Sequence, residues 1–122
     1  MRRVVYSCSG CASSGQMANR IAVNIDRKGL AEMSCIAGVG GAVRPMVEKA
    51  RSAQEVIAID GCPLQCCRQC LLKAGIKKMK HYDLSKFGVI KSLHVDFNAE
   101  EADKVEQMII EDLSRKEIGA FF

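Results

Sequence analysis

Thiols dominate the chemistry this sequence can offer. Cys8 and Cys11 are separated by two residues, Cys62 and Cys66 by three, and Cys35 stands between the pairs, in a chain that holds seven cysteines altogether. A Cys-x2-Cys loop can turn both sulfurs onto a single metal ion. Residues four apart on a helix share a face, so Cys62 in a first helical turn can join Cys66 above it. Tetrahedral thiolate coordination suits zinc, and the same ligands suit an iron–sulfur cluster. The two pairs and Cys35 offer five thiols where a structural zinc takes four. One is then a spare, an outer neighbour of the site, or a ligand exchanged in use. A redox or thiol-transfer enzyme is the other reading. In it, Cys8 or Cys62 near a helix N-terminus acts as nucleophile and Cys11 or Cys66 resolves. Ala12-Ser13-Ser14 lacks the Pro or Trp of the usual dithiol loops, and no Arg follows Cys8 before Arg20 to hold a phosphate.

Composition narrows the setting. Seven cysteines in 122 residues, about 6%, lie below the roughly 8–10% of disulfide-stapled mini-proteins, and the number is odd. Val4-Val5-Tyr6 after Arg2-Arg3 is far shorter than the apolar core of about 7–15 residues in a secretory leader. No run approaches the roughly 18 apolar residues of a membrane span. A cytoplasmic protein is expected, one that engages neither membrane nor nucleic acid, in a compartment where clustered thiols bind metals or react rather than cross-link. Lys and Arg number 18 against 14 Asp and Glu, a net charge of +4 with no basic block. With no Trp, two Tyr and four Phe, there is little material for base stacking. The Lys77, Lys78 and Lys80 stretch reads as solvated.

Alternating elements must position these thiols. Arg3 to Tyr6 forms a short apolar strand opening into the small-residue loop Ser7-Cys8-Ser9-Gly10-Cys11. Met17, Ile21 and Ile25 recur at helical spacing between Gln16 and Lys28, with Gly29 as the cap. Ala31 to Ile36 reads as a second strand, running into the Gly38-Val39-Gly40-Gly41 turn, where glycine admits positive φ. A helix over 43–52 tolerates Pro45 in its first turn. Val56-Ile57-Ala58-Ile59 is apolar on both faces, the mark of a strand covered on each side. Pro63 is expected to start a helix carrying Leu64, Cys67, Leu71 and Ala74, closed by Gly75. His81 to Leu84 reads as a fourth strand, and Val89 to Val95 as another strand or an extended loop. Asn98 with Glu101 caps a last helix bearing Val105, Met108, Ile109 and Leu113. This order predicts a three-layer, Rossmann-like α/β fold, a mostly parallel sheet with helices on both faces.

In such a sheet, ligands bind beyond the carboxyl ends of the strands. Cys8 and Cys11 follow the first strand, Cys35 the second, Cys62 and Cys66 the third, so all five are expected along one edge. Cys67 falls on the Leu64–Leu71 face and reads as core. Cys70, one turn beyond Cys66, reads as packing or exposed. Asp60 is placed to take a loop N–H and brace the turn. Gln16 and Asn19 are placed to steady the Cys8 loop, to contact a ligand, or to cap the helix. His81 and His94, distant along the chain, read as non-ligands. The Gly38–Gly41 segment lacks the Lys and Ser/Thr of a nucleotide-binding loop and reads as a tight turn.

The blocks Tyr6-Ser7-Cys8-Ser9-Gly10-Cys11, Gly15-Gln16-Met17-Ala18-Asn19, Met33 to Gly41 and Ile59-Asp60-Gly61-Cys62-Pro63-Leu64-Gln65-Cys66 resemble the DGC-domain family of zinc-binding proteins, named for its Asp-Gly-Cys triplet. The resemblance runs from about Tyr6 to Val95 with the blocks in the family's order. It implies a DGC-like metal-binding domain over 1–122, with zinc as cofactor and Cys8, Cys11, Cys35, Cys62 and Cys66 at the motif positions. Cys67 and Cys70 are extras to the pattern. The family carries no settled activity. The residues themselves offer no convincing general base, so no catalytic residue is named. Metal binding, handling or sensing is the expected role, with the redox enzyme and the iron–sulfur protein as alternatives on the same cysteines.

Overall fold

The computed structural model describes residues 2–118, side chains through Arg115. Its elements are β1 (Arg3–Ser7), α1 (Ser13–Arg27), β2 (Glu32–Met33), α2 (Ile36–Gly40), α3 (Arg44–Ser52), β3 (Glu55–Asp60), α4 (Cys66–Lys73), β4 (Lys80–Asp83), a 3-10 turn at Leu84–Phe87, and α5 (Ala99–Ile118). The strands form one four-stranded parallel sheet in the order β2-β1-β3-β4.

Side chains alternate across a strand, so each strand feeds both faces. Ile57 and Ile59 join Val5, the apolar stripe of α1 (Met17, Ile21, Ile25) and that of α5 (Val105, Ile109, Leu113) in one core cluster. Val56 and Ala58 face the other way with Val4 and Tyr6, under Val39 of α2, Ala50 of α3, and Cys67 and Leu71 of α4. This is the three-layer α/β arrangement that the double-sided Val56–Ile59 run predicts. Glu106 on α5 ties the outer helices together, accepting from Asn24 at 2.7 Å and pairing with Lys28 at 2.6 Å.

Three local expectations need correction. The second strand is shorter than Ala31–Ile36, because Asp26 takes the Met33 N–H at 2.8 Å and Cys35 already caps the next helix. The glycine-rich segment is that helix, α2, rather than a tight turn. None of Gly38, Gly40 and Gly41 has positive φ, and the left-handed residue is Ala42 at φ 59°. Pro63 does not start α4: residues 61–64 form a turn, Gln65 is left-handed at φ 55°, and the helix begins at Cys66. Leu64 is accordingly exposed instead of lying on the core face, and Met108 of α5 is exposed too. Residues 89–95 are irregular, the extended-loop alternative. They strap across the start of α1, where Ser13 N–H donates to Ser92 O at 2.8 Å and Ser92 N–H to Ser13 Oγ at 3.0 Å. The Asn98 cap is present, its Oδ1 accepting the Glu101 N–H at 2.8 Å.

The end of β3 lies against the start of α1 so closely that only glycine fits. A Cβ on Gly61 would stand 2.5 Å from the backbone C and O of Ser14 and 2.7 Å from Gly15 N. Backbone cannot yield as a flexible side chain can, so Gly61→Ala is expected to destabilise the fold by about 1–3 kcal/mol. Gly10→Ala, with open space at its Cβ, should stay within about 0.5 kcal/mol of the parent. Urea denaturation midpoints of the two variants check this.

Candidate metal centre

Parallel pairing delivers the thiols to one edge. Ser7 is opposite Ile59 in the β1–β3 register, and the ladder runs one step further through Cys8 N–H to Ile59 O at 3.0 Å. Cys8 therefore leaves β1 level with the end of β3. The Gly61 N–H then donates to Cys8 Sγ at 3.1 Å, joining the first cysteine loop to the Asp-Gly-Cys turn. Cys8 is half-buried, and burial pushes its thiol up to about 11. The Gly61 N–H opposes that rise, while Asp60, Cys62 and Cys66 add to it through their charge.

Cys62 is half-buried, and Lys91 from the strap donates to its Sγ at 3.7 Å. Cys66 is exposed at the head of α4. Since Cys62 lies in the turn before the helix, the pair is held by that turn, closed by Gln65 N–H to Cys62 O at 3.0 Å, and not by a shared helical face. Cys35 is exposed at the end of β2, its Sγ accepting the Gly38 N–H of α2 at 3.3 Å. Cys11 is exposed in the first loop. Gln16 steadies that loop by donating to Gly10 O at 2.6 Å, and Asn19 meets Ser7 Oγ at 3.4 Å.

Cys67 is core, 1% exposed, and burial raises its thiol far above the ordinary range. Cys70 packs against α2: its Sγ lies 2.9 Å from where a Cβ on Gly40 would be, so glycine there makes room for it. Cys67 follows Cys66 directly, and Cys70 lies one turn further along α4.

Asp60 does more than brace a turn. Its carboxylate is 1% exposed and accepts the first amides of α4, Cys67 N–H at 2.8 Å and Arg68 N–H at 3.1 Å. Oδ2 also meets His81 Nε2 at 2.8 Å. Sequence separation concealed this contact. The usable signal was strand alternation, since His81 is level with Ala58 on β4 and both face α4 together with Asp60.

The donor chemistry suits a borderline-soft cation. Two sulfurs, of Cys8 and Cys35, accept backbone N–H groups of the kind that support metal thiolates, and a lysine stands beside a third, that of Cys62. The sulfurs are not drawn into a closed sphere: among the described residues no three His, Cys, Asp or Glu side chains form a group that could hold a metal ion. A cleft of about 520 Å³, lined by Arg51, Gly75, Lys77, Lys78 and Lys80 among others, lies at the opposite end of the sheet, away from these thiols.

A family model, the DGC domain, matches residues 4–109. The chain belongs to the DGC family. A curated DGC relative, "Anaerobic and virulence modulator AnvM" of Pseudomonas aeruginosa, is 45% identical over 102 residues, covering 84% of this chain and 78% of that protein. No solved structure matches the chain. No helix among the described residues is long and apolar enough to cross a membrane.

Accessibility and acidity together order the reactivity of this DGC rim. In metal-free protein at pH 8, Cys8 should be alkylated at least about tenfold more slowly than exposed Cys11 and Cys35, since a raised pKa leaves less thiolate. Cys67 should stay unmodified. Peptide mass mapping after brief iodoacetamide treatment reads the order.

Proposed function

We propose that this DGC protein is a cysteine-rich zinc-binding protein whose site is the thiol rim at the carboxyl ends of the parallel strands. Four of Cys8, Cys11, Cys35, Cys62 and Cys66 hold the ion. The observation that carries this reading is the Gly61 N–H bond to Cys8 Sγ, which joins the first cysteine loop to the Asp-Gly-Cys turn bearing Cys62. Thiolate ligands in tetrahedral number favour zinc. When bound, the ion supplies a structural cross-link between the loops. Because the thiols stand open, binding would draw those loops together, so that metal affinity and loop order are coupled.

Sensing or handling of metal fits this coupling better than hydrolysis, for the polar neighbours of the rim are occupied otherwise. Asp60 is committed to α4 and Gln16 to Gly10, which leaves neither as a general base. The relative's name describes a modulator, and a regulatory use of the site in this chain agrees with a sensing role. Cys8 is a poor nucleophile, its thiol being raised, which counts against the redox enzyme started from that residue.

Protein purified without chelator is expected to carry about one zinc per chain and to be colourless above about 300 nm. Cys8→Ser and Cys62→Ser should each lower the zinc content at least about tenfold at limiting metal. Elemental analysis with an absorption spectrum checks both. Brown protein with iron and acid-labile sulfide would replace zinc by a cluster, and metal-free protein with a readily cycling disulfide would restore the enzyme reading.

A further inference from the structure

The buried carboxylate of Asp60 sits between a helix that begins with a rim cysteine and a histidine on the neighbouring strand. Three donors converge on it: Cys67 N–H on Oδ1, Arg68 N–H and His81 Nε2 on Oδ2. At 1% exposure, water cannot replace a missing donor, and a desolvated carboxylate without its partners is costly. An ionised carboxylate only accepts, so with Asp60 in that form Nε2 carries the proton shared with Oδ2. The two amides follow Cys66 directly, and the turn they anchor contains Cys62.

β4 backs this turn at a second point. Gln65 holds a left-handed conformation, φ 55°, which is unfavourable for a residue with a side chain and must be held by its surroundings. Its amide donates to Asp83 Oδ2 at 3.4 Å and its Oε1 accepts from Arg68 at 3.4 Å. Asp83 in turn is fixed by Ser85, whose N–H and hydroxyl both donate to Oδ1. His81 and Asp83 lie two residues apart on β4, on the same face, and together brace the Cys62–Cys66 turn from below.

We propose that His81 is a positioning residue for the thiol rim: by donating to Asp60 it fixes the first turn of α4, and through that turn it sets Cys62 and Cys66 relative to Cys8. The inference rests on the metal reading for its consequence, zinc affinity, but its geometry stands apart from it. The hydrogen bond of His81 runs to Asp60 and not to a rim sulfur, and its side chain is 18% exposed rather than fully in the core.

Amide hydrogen exchange of the metal-free protein, resolved by NMR, tests the positioning itself. In His81→Ala the Cys67 and Arg68 amides should exchange at least about tenfold faster, while those of Ile57 and Ile59 stay within about twofold of the parent. His81→Gln, whose amide nitrogen reaches about as far as Nε2, should restore most of the protection. His81→Leu keeps the volume without the donor and serves if the alanine variant does not fold. Zinc affinity, measured by chelator competition, should fall about tenfold in the variants lacking the donor and recover with Gln. Unchanged exchange at Cys67 and Arg68, or equal acceleration along β3 as well, would overturn the proposal. A parent protein that takes up no zinc would defeat the metal reading instead, with the exchange pattern still deciding the role of His81.

Discussion

The parallel, in-register pairing of β1 with β3 is the constraint on which the rim depends. Ladder bonds carry the chain from Arg3 opposite Glu55 to Ser7 opposite Ile59, and the Cys8 N–H adds one further bond beyond the strand. Cys8 is thereby delivered beside the Asp-Gly-Cys turn, some fifty residues further along the chain. A slip of one residue would turn every β1 side chain to the other face. Val4 and Tyr6 would leave the core under α2, α3 and α4, and Val5 the core under α1 and α5. The apolar packing on both faces thus protects the register, and the register sets the thiols.

Glycine and aspartate of the Asp-Gly-Cys triplet serve the same juncture from opposite sides. Gly61 lets the end of β3 press against the backbone of Ser14 and Gly15, and its N–H reaches Cys8 Sγ. Asp60 faces the other way and takes the free amides at the head of α4. Such amides have no partner within a helix and need an acceptor. Cys62 is therefore presented between two elements that are each tied down by the residue before it or the one before that. The triplet reads as one device: a cap, a close contact and a thiol.

Much of the fold was legible because its signals are local. The double-sided Val56–Ile59 run, the Met17–Ile21–Ile25 stripe and the Asn98–Glu101 cap each depend on neighbours in sequence, and each stands where expected. The expectation that five cysteines line one sheet edge rested on strand order alone, and the structure joins Cys8 to the Cys62 turn through the Gly61 N–H while Cys11, Cys35 and Cys66 are exposed. The errors came from tertiary bonds overriding local preference. Pro63 is well suited to a helical first turn, but Asp60 fixes the helix start further on. Gly38 and Gly40 admit positive φ, yet Cys35 caps a helix through them. His81 was missed because its partner lies on an adjacent strand, and that proximity follows from register rather than from spacing in the chain.

The thiol-bearing edge is supported from beneath, with two backbone N–H groups directed at sulfur. X-ray absorption at the zinc edge, on protein purified without chelator, tests the proposed thiolate site. Four sulfur neighbours at about 2.3 Å are expected. Nitrogen or oxygen neighbours at about 2.0 Å in place of most of the sulfur, or no bound zinc at all, would contradict it.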